Sequence, residues 1–125
     1  MSERVTDAEF EVLDALWQDA PAAASEIFDR IKKKTGWSAQ TVKTLLARLV
    51  DKGAVAHEPD GRRYLYRPLL SKDNYARDAA STIVDRLFGG RAAPLVANLA
   101  DSGKLSAKDI AELESILAEL KHERS

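Results

Sequence analysis

Trp37 to Gly53 reads WSAQTVKTLLARLVDKG, and Ala54 to Pro68 continues it as AVAHEPDGRRYLYRP. In the first half, Val42, Leu45, Leu46, Leu49 and Val50 fall at i, i+3, i+4, i+7 and i+8, the stripe of a helix buried on one face. Ser38 stands where an N-cap hydroxyl is needed, and Trp37 and Val42 flank it as partners of a hydrophobic staple. Gly53 fits the position after the helix, where the chain turns left-handed. The period then changes. Ala54 to His57 reads as a short strand, Glu58-Pro59-Asp60-Gly61 carries turn chemistry, and Arg62 to Arg67 reads as a returning strand that Pro68 closes. A helix followed at once by a hairpin is the predicted centre of the fold.

Two helices precede it. Thr6-x-x-Glu9 is a capping box with Val5 and Phe10 as its staple, and Phe10, Leu13, Leu16 and Trp17 recur at helical spacing up to about Gln18. Asp19-Ala20-Pro21 breaks that helix. A second follows, with Ile27, Phe28 and Ile31 as its stripe. Lys32-Lys33-Lys34 lies in its last turn, where cations suit the helix dipole, and Gly36 ends it. Its start, in Ala22-Ala23-Ala24, offers no capping oxygen.

Residues past the hairpin also read as helical. Ser71 caps a helix to about Phe88, Gly89-Gly90 breaks it, and a short helix spans about Pro94 to Asp101. Ser102-Gly103 is a second break, and Ser106 caps a last helix with Ile110, Leu113, Ile116, Leu117 and Leu120 as its stripe. So short a helical segment has little core for its surface. Its stripes are expected to pack against a second copy of the chain, the alternative being a fold back onto the N-terminal part. The predicted domains are residues 1–69 and 70–125.

The chain has 125 residues with 45% hydrophobic and 31% charged, the composition of an ordinary soluble globular protein. It has no Cys, which excludes a disulfide scaffold and a thiol nucleophile. The longest apolar runs fall far short of the roughly 20 residues that cross a bilayer. The N-terminus, MSERVTDAEFE, lacks the apolar stretch of a signal peptide. A cytoplasmic protein is expected. No phosphate loop, nucleophile–base pair or metal-site spacing is visible, so neither an enzyme nor a cofactor is expected. His57 and His122 are isolated, and Trp17 and Trp37 are expected in the core.

A net charge of −1 conceals a regional pattern: residues 1–29 carry −7, residues 30–67 carry +7 and residues 68–125 carry −1. The basic block covers the third helix and the hairpin, and such a block attracts a polyanion locally. Three helices and a hairpin are the order of a winged helix-turn-helix, in which the helix before the hairpin enters the DNA major groove. The fold class is therefore mainly α with a small β-hairpin wing and a C-terminal helical dimerisation region. The outward residues of the third helix, Gln40, Thr41, Lys43, Thr44 and Arg48, together with Ser38, form a reading surface. Gln pairs with adenine, Arg with guanine, and a Thr methyl meets a thymine methyl. Ser38 and the first amides of the helix can meet a phosphate. Lys43 reads a base or only neutralises a phosphate. Arg62 and Arg63 are candidates for phosphate or minor-groove contact. The plainer alternative is a solvated helix face.

Thr6–Trp17 (TDAEFEVLDALW), Trp37–Gly53, Gly61–Pro68 (GRRYLYRP) and LSAKDIAELESIL from Leu105 together resemble the BlaI/MecI penicillinase-repressor family over essentially the whole chain. That resemblance implies a dimeric winged-helix repressor on a palindromic double-stranded operator near resistance and sensor genes. It also implies release when a membrane sensor protease signals and the repressor is cut in its C-terminal region. The family's scissile bond follows an Asn in the short helix before the last. Asn98-Leu99 occupies that place, where the family more often has Phe after the Asn; the alternative is an Asn on an ordinary amphipathic helix. CopY-type relatives sense copper through Cys pairs, which this chain lacks. The family usually caps its second helix with a hydroxyl residue, and Ala23 stands there instead. Two other readings stay open: a winged-helix module that docks an acidic protein, and a repressor released by a small ligand bound between domains.

Overall fold

The computed structural model describes residues 4–124; Met1–Glu3, at the head of the acidic segment, and Ser125 lie outside the described residues. The elements are α1 (Asp7–Gln18), β1 (Ala22–Ala23), α2 (Ala24–Thr35), α3 (Ala39–Asp51), β2 (Val55–Asp60), β3 (Arg63–Pro68), α4 (Lys72–Leu87), α5 (Ala92–Asp101) and α6 (Ala107–Arg124). The chain divides into two compact units, residues 1–77 and 78–125, and α4 spans the boundary.

In the first unit the helix starts are fixed as their residues dictate. Thr6 Oγ1 accepts from the Glu9 amide at 3.1 Å, and the Glu9 carboxylate accepts from the Thr6 amide at 2.9 Å. Ser38 Oγ accepts from the Thr41 amide at 3.1 Å. Gly53 has φ +78°, and the Ala54 amide beyond it reaches back to the Leu49 carbonyl at 3.0 Å, which closes α3. At α2 only half of such a box exists: Glu26 accepts from the Ala23 amide at 2.9 Å, but Ala23 has no oxygen to return the bond.

Two features of the sheet differ from the sequence expectation. The hairpin is part of a three-stranded antiparallel sheet in the order β1-β3-β2. Ala22 and Ala23, read from sequence as the start of the second helix, pair with Tyr66 and Leu65 of β3. The second difference is the length of β2. Pro59 and Asp60 belong to the strand and pair with Tyr64 and Arg63, so the turn shrinks to Gly61-Arg62, with Gly61 at φ +65°. Pro59 is tolerated because β2 is an edge strand, where a missing N–H breaks no inner ladder.

Every buried apolar residue among the described ones lies between Val12 and Val55. Leu13 and Leu16 of α1, Ile27 of α2, Leu46 and Leu49 of α3 and Val55 of β2 form one cluster. Burying each large aliphatic side chain contributes about 1.5–3 kcal/mol. Trp17 and Trp37, expected in the core, are half-buried and pack against its edge, and the Trp17 indole donates to the Leu70 carbonyl at 2.8 Å. Phe10, Trp17 and Tyr75 form an aromatic triangle with centroids 5.4–5.9 Å apart, which ties the first turn of α4 to α1.

The second unit is built differently. Ser106 and Asp109 form a reciprocal cap on α6, with bonds of 3.0 and 3.1 Å, but α4, α5 and α6 contain no buried residue. Ile110, Ile116, Leu117 and Leu120 are each about half exposed.

Candidate nucleic-acid interface

α3 separates its two faces cleanly. Val42, Leu45, Leu46 and Leu49 are buried, while Gln40, Lys43, Thr44, Ala47 and Arg48 are exposed and Thr41 is half-buried. The polar residues chosen from sequence therefore share one outward surface. Ser38 and Thr41 hydroxyls lie 3.1 Å apart. Thr44 Oγ1 donates to the Gln40 carbonyl at 3.0 Å, so it keeps a methyl and acceptor lone pairs for a ligand. The Gln40 amide nitrogen is 3.5 Å from Thr44 Oγ1, too long to hold it firmly.

Electrostatics sort the basic block into two groups. Arg30 donates to the Ala15 and Asp19 carbonyls at 3.0 and 2.7 Å and lies 3.5 Å from the Asp19 carboxylate. Lys32 pairs with Asp29, and Lys34 with Glu11 at 2.8 Å. Lys52 reaches Glu9 at 2.5 Å and the Arg4 carbonyl at 2.7 Å. Arg63 lies 3.3 Å from Asp60 and 3.8 Å from Glu26. Among the described residues, Lys33, Lys43, Arg48, Arg62 and Arg67 have no ion pair. All but Lys33 lie on α3 or the hairpin. Acids of the first segment thus pair with Arg30, Lys32, Lys34 and Lys52, while Lys43, Arg48, Arg62 and Arg67 on α3 and the hairpin keep their charge unneutralised.

Glu9 shows what that neutralisation requires. Its side chain is buried, and burial alone would raise its carboxyl pKa. The Lys52 hydrogen bond, the Thr6 amide and the Lys52 charge outweigh burial and hold it below the usual 4.5. One oxygen, Oε2, has no hydrogen-bond partner among the described residues.

Lys43, Arg62 and Arg63 also come together around a cleft of about 390 Å³. Ala23, Ala24 and Ser25 supply another wall, and Tyr64 and Tyr66 the rest. Burial, with a smaller contribution from Tyr64, raises the pKa of the Tyr66 phenol, which stays protonated and able to donate. Sequence reasoning passed over Ser25, Tyr64 and Tyr66 as site residues. The two tyrosines lie in the stretch read from sequence only as the returning strand, and Ser25 follows β1, which pairs with β3. Arg67, counted in the charge block but not chosen as a site residue, is exposed and unpaired.

Asn98 and Leu99 lie on α5 in the second unit. Asn98 is exposed, with its amide 3.3 Å from the Pro94 carbonyl, and Leu99 is 36% exposed. The bond between them is inside a helix, near its last turn.

A family model described as penicillinase repressor matches residues 5–119. The chain belongs to the penicillinase repressor family. The penicillinase repressor of Bacillus licheniformis is 31% identical over 121 residues, 97% of this chain and 94% of that one. The methicillin resistance regulatory protein MecI of Staphylococcus aureus strain N315 is 28% identical over 113 residues, 90% of this chain and 92% of that one. Among solved structures, the DNA-binding domain of the repressor BlaI is similar with TM-score 0.54 and 32% identity, covering 60% of this chain and 94% of that one. Monomeric B. licheniformis BlaI in complex with the blaP half-operator is similar with TM-score 0.52 and 32% identity, covering 60% of this chain and 92% of that one. Penicillinase repressors are DNA-binding transcriptional regulators rather than enzymes, and the winged-helix fold read from sequence is the fold observed here.

Proposed function

We propose that this penicillinase-repressor homologue acts in the cytoplasm as a homodimeric transcriptional repressor of resistance-type genes. Residues 1–69 bind a palindromic double-stranded operator and residues 70–125 dimerise. α3 enters the major groove, where Gln40, Thr44 and Arg48 read base edges. Ser38, Thr41 and Lys43 flank them, and Arg62 and Arg63 on the hairpin turn hold the phosphate backbone. One observation carries this reading: within residues 30–67, four of the five basic residues without an ion pair among the described residues (Lys43, Arg48, Arg62 and Arg67) lie on α3 or the hairpin, Lys33 on α2 being the fifth.

The exposed stripes of α4, α5 and α6 support dimerisation. Ile110, Leu113, Leu117 and Leu120 recur along one side of α6, Leu113 half-buried and the other three exposed, and an exposed apolar stripe of that length marks an interaction surface. A two-fold pair would hold two reading helices at a fixed separation, as a palindrome requires. Release follows from cleavage between Asn98 and Leu99 by a membrane sensor protease, because losing the dimer contacts removes the gain from linked half-sites. A protease needs extended backbone, and the helix ends three residues later at Asp101, so only the last turn of α5 must open.

Gel-shift titration against the promoter fragment of its own gene and against random duplex tests the surface. Arg48→Ala and Thr44→Ala are expected to lower discrimination by about 1–3 kcal/mol at the base each meets. Arg62→Ala is expected to weaken both duplexes alike and reduce the salt slope by about one. Arg63→Ala should do less than Arg62→Ala, because Asp60 and Glu26 already neutralise Arg63. Variants that all bind like wild type would show the surface to be wrongly assigned. Mass spectrometry of the chain recovered from induced cells tests the cleavage, and intact chains would contradict it.

A further inference from the structure

The cleft between the start of α2, α3 and the hairpin has a composition of its own. Its lining contains Lys43, Arg62, Arg63, Tyr64 and Tyr66, and neither a carboxylate nor a large aliphatic side chain. Arg63 is held by Asp60 and Glu26, whereas Lys43 and Arg62 have no ion partner among the described residues. Two of the three positive charges at the cleft are therefore uncompensated. His57 packs on Tyr64 edge-to-face at 4.7 Å and against Tyr66 at 5.8 Å, which fixes the two phenols as a wall. The volume, about 390 Å³, lies in the range that accommodates small-molecule ligands.

We infer that this cleft is a binding site for a small aromatic anion, a ring bearing a carboxylate or phosphate. Lys43 and Arg62 face the anionic group as charge-assisted donors, and Tyr64 and Tyr66 take the ring. The Tyr66 hydroxyl lines the same cleft and adds a neutral donor. One consequence rests on the operator reading above: the same Lys43 and Arg62 are assigned to the duplex, so ligand and DNA exclude one another. The site would then be a direct release mechanism that leaves the chain uncut, and it lies within the first unit.

Amide-shift titration of the full chain with phenyl phosphate and, separately, inorganic phosphate tests the site. Saturable shifts are expected at Ser25, Lys43, Tyr64 and Tyr66, with phenyl phosphate about tenfold tighter than inorganic phosphate, the worth of one good ring contact. Tyr64→Leu should abolish that preference and leave inorganic phosphate unchanged. Lys43→Ala and Arg62→Ala, both at exposed positions, should weaken both anions. Unsaturable shifts, shifts scattered over every basic residue, or equal affinity for the two anions would overturn the site. Phenyl phosphate at ten times its Kd should also raise the apparent duplex Kd about tenfold. A filled cleft with unchanged duplex binding would overturn the competition. Failure of wild type to bind any duplex would sink the operator reading alone, because the titration without DNA judges the site.

Discussion

Residues 1–77 and residues 78–125 face the same problem with different means. The first unit buries a contiguous cluster from Val12 to Val55 and closes its helix ends with side-chain and backbone caps. The second has helices of comparable length, capped as well at α6, yet none of their described residues is fully buried. Caps and helical spacing make helices; only a covered stripe makes a core. Leu46 at 0% exposure and Leu117 at 55% are the same residue type at equally regular stripe positions, and only the first has found its partner surface.

The largest expected effect deepens that contrast. Leu46→Ala should destabilise the first unit by about 3 kcal/mol, read by urea denaturation, because it removes a fully buried side chain from α3. Next is the one buried charge. Glu9→Gln should cost about 2 kcal/mol, since it strips Lys52 of its ion partner at 14% exposure. The wild-type carboxyl titrates below its ordinary value, so its contribution is fully present above about pH 4.5 and disappears as pH falls through the lowered folded value. The Gln variant should therefore lose less stability than wild type on acidification below that point. Parallel curves for the two proteins would contradict the assignment.

Smaller again is the expected effect on association. Leu117→Ala should leave the first unit's denaturation unchanged and weaken dimerisation by about 1.5 kcal/mol summed over both protomers, roughly tenfold in dissociation constant. The smallest effect is a gain. Ala23→Ser supplies the missing cap oxygen at α2 and should stabilise the first unit by about 0.5–1 kcal/mol in the same denaturation assay. No gain would mean that the half box made by Glu26 already suffices.

What could be read from sequence follows the same division. α3 was legible because cap, staple, stripe and terminal Gly all agree over one short run. β1 was not, because two alanines carry no alternation, and its pairing with Leu65 and Tyr66 is a long-range contact. The extent of β2 was hidden because Pro59-Asp60-Gly61 has turn composition, and only the strand's place at the edge makes Pro59 acceptable. Glu9 was legible as a capping partner but not as a buried acid, and Lys52 and Arg30 were counted as surface charge although both serve α1. Net charge by segment locates a basic face; which cations remain available depends on packing. The outward residues of α3 were legible because helical geometry leaves them no other direction. The cleft was not, since Ser25, Lys43 and Tyr64 lie on α2, α3 and β3 and meet only in the folded unit.

Two protomers joined through residues 70–125 and presenting paired α3 helices to one duplex is the central claim. Sedimentation equilibrium of the intact chain, alone and with its own promoter fragment, measures it directly. The expected result is a dimer at micromolar concentration and a complex of two protomers on one duplex. A monomer in both samples, with or without the fragment, would contradict it.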